Sequence, residues 1–224
     1  LSNPLVSVIV PACRETVHLV RLLQSLENEK DVEVIVAIPA GDEESAKSAA
    51  FFGVKIVKGE KGRGAQMNLG ASEANANNLL FCHADTLLPE DWKETVINTL
   101  EREAVAGGGF KFSIDSPLLK YRLIEAGANA RAAIFGLVYG DQALFTRRET
   151  YRLAGGFRPL PVMEDVDFVR RLRRIGKIVI VNKYIKTSPR RWDKDGAFYR
   201  TLRNAIMIFL YMLGVPPERL VRFY

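Results

Sequence analysis

In the stretch from Leu79 to Pro89, an apolar run, Leu-Leu-Phe-Cys, passes directly into His83 and Asp85 before Pro89 ends it. An imidazole and a carboxylate two residues apart on an extended chain point to the same side. Asp85 can bind a hard divalent cation such as Mg²⁺ or Mn²⁺, which takes one or two protein carboxylates and completes its shell with substrate phosphates. The ordinary alternative is a turn, with Asp85 making a local Asx bond or a cap and His83 a satisfied, half-buried histidine.

Four other clusters have comparable chemical potential. From Gly59 to Ala71 a glycine-punctuated loop enters a helix and carries Arg63. Glycines let backbone amides approach an anion, a helix start favours negative charge, and a guanidinium forks onto phosphate; Gly70 and Ala71 are equally small residues for close packing on a sheet. Val162 to Phe168 opens a helix with Glu164, Asp165 and Asp167. Acidic residues in a first turn offset the helix dipole, and one held near a hydroxyl can instead act as a general base. Ser188 to Trp192 joins Arg190 and Arg191 to Trp192, a combination suited to phosphate and to stacking on a sugar face, or to a plain surface stack. Gly140-Asp141-Gln142 reads as a turn or as an acceptor contact.

The elements that must position these groups follow from periodicity. Val6 to Val10 is a β-branched strand, and Leu19, Leu22, Leu23 and Leu26 place one stripe on a helix from Thr16 to Glu29. The unit repeats: strand Val32 to Ile38, helix Asp42 to Phe52, strand Val54 to Val57, helix Gly64 to Glu73, strand Leu79 to Cys82, helix Asp91 to Glu103. Such alternation predicts an α/β, Rossmann-like, mostly parallel sheet covered by helices, with ligands at the carboxyl ends of its strands. Regularity breaks after Ala106. Gly107-Gly108-Gly109 is followed by a half-exposed strand, Phe110 to Ile114, then a helix from Pro117 to Phe135 and a strand from Ala143 to Thr146. A charged helix from Glu164 to Ile175 and a strand from Ile178 to Val181 complete a mixed second half. One domain over residues 1–224 is expected, with 1–106 as the nucleotide-binding half and 107–224 as the acceptor side.

The net charge of +6 is uneven: Arg147 to Trp192 holds 13 Lys+Arg against 4 Asp+Glu, so the remainder is slightly acidic. A basic region of this kind can meet a diphosphate, an anionic acceptor or a phospholipid surface. Nucleic acid is not expected, because stacking aromatics are sparse between Arg170 and Lys177. The two cysteines, Cys13 and Cys82, have no framework or metal spacing, and Leu1 to Pro4 lacks the flank of a signal peptide. A cytoplasmic setting is expected. The apolar helix from Phe198 to Leu213, too short to span a bilayer, leaves three readings open: closing the core, forming a homodimer, or lying against the inner face of the membrane.

Taken in order, Val8-Ile9-Val10-Pro11 with Glu15, Arg63 to Ala71, His83-Ala84-Asp85-Thr86, Gly140-Asp141-Gln142, Glu164-Asp165 and Arg190-Arg191-Trp192 resemble the family-2 glycosyltransferases of the GT-A fold. The resemblance implies a nucleotide-diphosphate sugar donor lying across the first strand ends, with Pro11 and Glu15 beside the nucleoside and Arg63, Gln66 and Asn68 contributing to its site. Asp85 matches the last Asp of the family's Asp-x-Asp metal motif, with His83 in place of the first. Asp165 matches the base of an inverting transfer to an acceptor hydroxyl, with Glu164 beside it. Asp141, Gln142, Arg190, Arg191 and Trp192 are implied in acceptor or diphosphate contacts. The aspartate that many relatives use to read the base is replaced by Ile38, with Asp42 close behind it in sequence. The Met-Glu-Asp-Val and Arg-Arg-Trp details are most similar to a bacterial subgroup associated with arsenosugar synthesis.

Two other readings compete. A sugar-phosphate nucleotidylyltransferase requires its glycine loop directly after the first strand, where this chain has Pro11-Ala12-Cys13-Arg14. A non-catalytic basic module would dock on a membrane surface through the Arg147 to Trp192 region.

Overall fold

A computed structural model describes residues 3–135 and 138–223, apart from the side chains of 131, 133–135, 191, 195 and 197. The first half follows the expected alternation: β1 (Val6–Pro11), α1 (Thr16–Leu26), β2 (Val32–Pro39), α2 (Glu43–Ala50), β3 (Lys55–Gly59), α3 (Arg63–Ser72), β4 (Asn78–Phe81), β5 (Thr86–Leu87) and α4 (Trp92–Leu100). The second half comprises β6 (Val105–Ile114), α5 (Leu119–Phe135), a 3-10 turn (Gly140–Gln142), β7 (Leu144–Arg147), α6 (Arg148–Leu153), α7 (Glu164–Leu172), β8 (Lys177–Thr187), α8 (Arg190–Asp195), α9 (Ala197–Met212) and α10 (Pro217–Leu220).

The strands form one eight-stranded sheet in the order β3-β2-β1-β4-β7-β6-β8-β5. β1 pairs in parallel with β2 and β4, and β2 with β3, whereas β7 runs antiparallel between β4 and β6. Alternating side chains separate the two cores, as the strand period of two requires. Val6, Val8 and Val10 face the leucine stripe of α1 together with Trp92 and Val96 of α4. Ile9 and Ile35 face Met67 of α3 and Phe168 and Leu172 of α7. On that side Phe157 lies 4.4 Å from Phe168 and 4.9 Å from Phe81, ring centroid to centroid.

Glycine is required where elements approach most closely. A Cβ on Gly70 would stand 2.4 Å from an Ile9 methyl, so α3 sits on β1 only because that carbon is absent, which is the packing role foreseen for it. The triplet Gly107-Gly108-Gly109 corrects the sequence reading. These residues do not precede the strand; they lie inside β6, which begins at Val105. Glycine normally weakens a strand, but here a Cβ on Gly108 would meet the Val179 carbonyl oxygen at 2.5 Å and the Phe145 ring at 2.6 Å. Beyond the triplet, Phe110, Phe112 and Ile114 are buried while Lys111 and Ser113 are half-buried, the expected alternation.

β8 also runs past the expected Val181 to Thr187. Its polar continuation pairs with β5, Thr86 opposite Thr187 and Leu87 opposite Lys186, and so ties the His83 to Asp85 turn to the second half of the chain.

Candidate active site

The turn after β4 is fixed by its backbone: the Cys82 amide donates to the Ile9 carbonyl at 3.0 Å and the Thr86 amide to the His83 carbonyl at 3.1 Å. From β8, the Ser188 amide reaches the Asp85 carbonyl at 3.1 Å. His83 and Asp85 are consequently held at 8% and 9% exposure, facing a cavity of about 400 Å³. Arg63, Asp141, Asp165, Thr187 and Trp192 line the same cavity. Residues far apart in the sequence thus converge on one space.

The carboxylates opening α7 have three different environments. Met163, in the left-handed region at φ 66°, turns the chain into the helix. Glu164 points inward, 2% exposed, and its Oε1 lies 2.6 Å from Arg63 Nε. Burial pushes its carboxyl above the ordinary range, opposed by the Arg63 charge and reinforced by Asp165. Asp165 faces the cavity, and its Oδ2 accepts the Gly140 amide at 2.8 Å. Asp167 pairs instead with Arg171, 2.8 Å away. Asp165 is therefore the cavity carboxylate of this helix, and Glu164 stands behind it holding Arg63.

Gly140 is the contact that brings His83 and Asp165 together. A Cβ there would stand 2.7 Å from His83 Nε2 and 3.3 Å from Asp165 Oδ2, so only glycine leaves room for both side chains. Its neighbours diverge: Asp141 lines the cavity, whereas Gln142, 1% exposed, accepts the Tyr139 amide at 3.1 Å and donates to the Phe110 carbonyl at 3.0 Å. Gln142 braces the turn from within.

Arg190 is ion-paired with Glu15 and lies 3.8 Å from Asp85 Oδ2, linking the loop after β1 to the turn after β4. Trp192 is buried against Phe112, 5.7 Å between ring centroids, and Arg200 of α9 lies 5.9 Å from its ring. The side chain of Arg191 lies outside the described residues.

Gln66 and Asn68 stand behind the cavity. Gln66 donates to the carbonyls of Ala12 at 2.8 Å and Ala37 at 2.6 Å, holding the carboxyl ends of β1 and β2 beside Pro11. Asn68 exchanges hydrogen bonds with the Phe157 backbone, donating to its carbonyl and accepting its amide, both at 2.8 Å. Asp42 caps α2 by accepting from the Ser45 amide and hydroxyl, and it accepts the Arg14 amide at 2.8 Å. That carboxylate is occupied at the edge of the expected nucleoside position.

Two participants escaped the sequence reading. His18 lies on α1, one turn after Glu15, and its imidazole titrates below the usual range, chiefly through burial and the Arg190 charge, opposed by Asp85 and Glu15. Its spacing of three from Glu15 on a helix was the available signal. Thr187, at the end of β8, had none, because its position depends on the β5 pairing.

The fold and site define a GT-A glycosyltransferase. The model of Glycosyl transferase family 2 matches residues 7–161, and the chain belongs to that family. Among solved structures it is similar to the mannosyltransferase PcManGT of Pyrobaculum calidifontis in complex with GDP-Man and Mn²⁺, at 17% identity, TM-score 0.69, covering 97% of this chain and 67% of that one. It is also similar to residues 1–349 of S. aureus TarS, at 16% identity, TM-score 0.65, covering 97% and 68%. The same TarS segment in complex with UDP gives 15% identity, TM-score 0.65, covering 97% and 69%. A search of curated proteins by sequence gives no match.

Proposed function

We propose that the chain catalyses an inverting transfer of a sugar from a nucleotide-diphosphate sugar to an acceptor hydroxyl, with Asp165 as the general base. The acceptor oxygen forms a bond to the anomeric carbon on the face opposite the diphosphate, the bond from that carbon to the diphosphate oxygen breaks, and the acceptor proton passes to Asp165. The observation that carries this reading is the convergence of Asp165, Asp85, His83 and Arg63 on one cavity at the carboxyl ends of the strands. The Gly140 amide on Oδ2 fixes the direction in which Asp165 presents its carboxylate.

The donor set fits a divalent cation that shares its shell with the substrate. Asp85 offers a hard oxygen and His83 a borderline nitrogen, and among the described residues no group of three His, Cys, Asp or Glu side chains could hold a metal unaided. Asp85, with His83, would hold Mg²⁺ or Mn²⁺, and the ion would supply positive charge to the departing diphosphate. Arg190 and Arg63 bring fixed cations to the same region, so the protein itself stabilises part of that charge. The complexes of PcManGT with GDP-Man and Mn²⁺ and of TarS with UDP support a nucleotide-sugar donor and a cation here.

A basic docking module is less well supported. Part of the arginine excess is engaged internally: Arg147 donates to the Val105 carbonyl, Arg148 to that of Ala76, and Arg171 pairs with Asp167. Among the described residues no helix is long and apolar enough to cross a membrane. The free thiols of Cys13 and Cys82 fit the cytoplasmic setting we propose.

Thermal-shift measurements with UDP, GDP, CDP and dTDP, each with and without Mn²⁺ or Mg²⁺, test the donor side. At least one nucleotide is expected to stabilise the protein in a metal-dependent manner that Asp85→Ala removes. Absence of any such shift across the whole set overturns the reading.

A further inference from the structure

Resting on the transfer reading above, we propose that the acceptor is an amphiphile whose hydroxyl reaches Asp165 while its apolar body lies between α5 and α9. The cavity is polar at its base, where Asp165 and the β4 turn stand, and changes character away from the strand ends. There α5 contributes Leu123, Ile124 and Ala128, and α9 contributes Met207 and Ile208 beside three polar residues, Arg200, Thr201 and Asn204. Along the α5 face of this wall a saccharide body would lose hydration without regaining hydrogen bonds, whereas a hydrocarbon gains by leaving water.

The apolar wall also reaches the surface. Leu123 lines the cavity and is still 75% exposed, so on the α5 side the space opens to solvent past a leucine. A ligand with a polar head at Asp165 and a chain running outward past Leu123 matches this gradient. The volume of about 400 Å³ and the catalytic carboxylate at its inner end commit the space to an acceptor rather than to a second protein.

The test titrates n-alkyl β-D-glucosides, methyl to octyl and below their micelle concentrations, onto the full chain saturated with the nucleoside diphosphate that stabilises it most. Isothermal calorimetry is expected to show Kd falling about fourfold for each added methylene until the cavity is filled. Leu123→Glu, at an exposed position, should weaken octyl glucoside at least tenfold while leaving methyl glucoside and the melting temperature unchanged. Ala128→Leu should make the gain level off at a shorter chain. A Kd independent of chain length, or no binding by any member of the series, overturns the amphiphile. The nucleotide-induced thermal shift is read on the same samples. Its presence with a flat series removes only the acceptor class, and its absence removes the transfer reading together with this one.

Discussion

Asp165 and Glu164 are adjacent in sequence but have opposite environments, and the difference sets their roles. Glu164 is sealed against Arg63 beneath the cavity and pairs with its guanidinium. Removing that partner strands a buried carboxyl, which is costly unless the group takes up a proton. Arg63→Ala is accordingly expected to cost about 2 kcal/mol in urea unfolding, below the roughly 3–5 kcal/mol of a fully buried pair because Arg63 is itself a third exposed. Gly140 makes the sharper prediction. Its missing side chain is the space in which His83 and Asp165 meet, so Gly140→Ala should displace both and lower kcat by roughly 100-fold, on the scale of a misplaced catalytic group. Steady-state kinetics beside a melting curve separates this from unfolding, since the melting temperature should move by only a few degrees.

At the scale of elements, the first half of the chain was legible because each strand and helix carries its own periodicity. The leucine stripe of α1, the continuous apolar strands and the turn at His83 follow from local pattern alone. What was missed depends on distant partners. Gly107 to Gly109 read as a break because glycine is a poor strand former, yet the carbonyl of Val179 and the ring of Phe145 make it the residue that fits β6. The two residues of β5 are too few to show a period, and the outer half of β8 alternates weakly, so the strap joining Asp85 to Thr187 could not be seen. Gly108→Ala is expected to destabilise the fold by about 3 kcal/mol, measured by urea unfolding, because both the carbonyl and the ring must move.

The cap of α2 makes a prediction with a defined pH sign. Burial works to raise the Asp42 carboxyl, but the amides of Arg14 and Ser45 and the Ser45 hydroxyl outweigh it and hold the group below the ordinary aspartate range. A lowered folded value means the cap stabilises the protein above the unfolded aspartate pKa of about 3.9 and loses that contribution as pH falls through the folded value. Asp42→Ala should cost about 1 kcal/mol at neutral pH and flatten the stability profile below about pH 4, a comparison that urea melts at pH 7 and pH 3 provide.

Across the whole molecule, the eight-stranded sheet carries the loops of the first half from β1 to β4 and joins the second half through β7, β6 and β8. Asp165 comes from the second half and Asp85 from the first, which is why residues 80 positions apart must be registered by long-range contacts such as Gly140 to Asp165 and β5 to β8. Charge composition was a partial guide at this scale. Between Arg147 and Trp192, Arg147, Arg148, Arg171 and Arg190 are engaged inside the fold or at the site, whereas Arg152, Arg158, Arg170, Arg173, Arg174, Lys177, Lys183 and Lys186 are exposed. Counting charges along a chain does not show which of them face water.

The central claim is that Asp165 takes the acceptor proton while the Asp85 side of the cavity holds the donor, and Asp165→Asn separates the two. The substitution keeps the shape and an acceptor lone pair toward the Gly140 amide, but gives up the Val166 amide on the other oxygen and removes the basic carboxylate. Transfer to acceptor is expected to fall by roughly 10³-fold in kcat, within the usual worth of a general base, while the metal-dependent thermal shift with nucleoside diphosphate stays as in the parent chain. Activity within tenfold of the parent, measured at saturating donor and acceptor, would contradict the account.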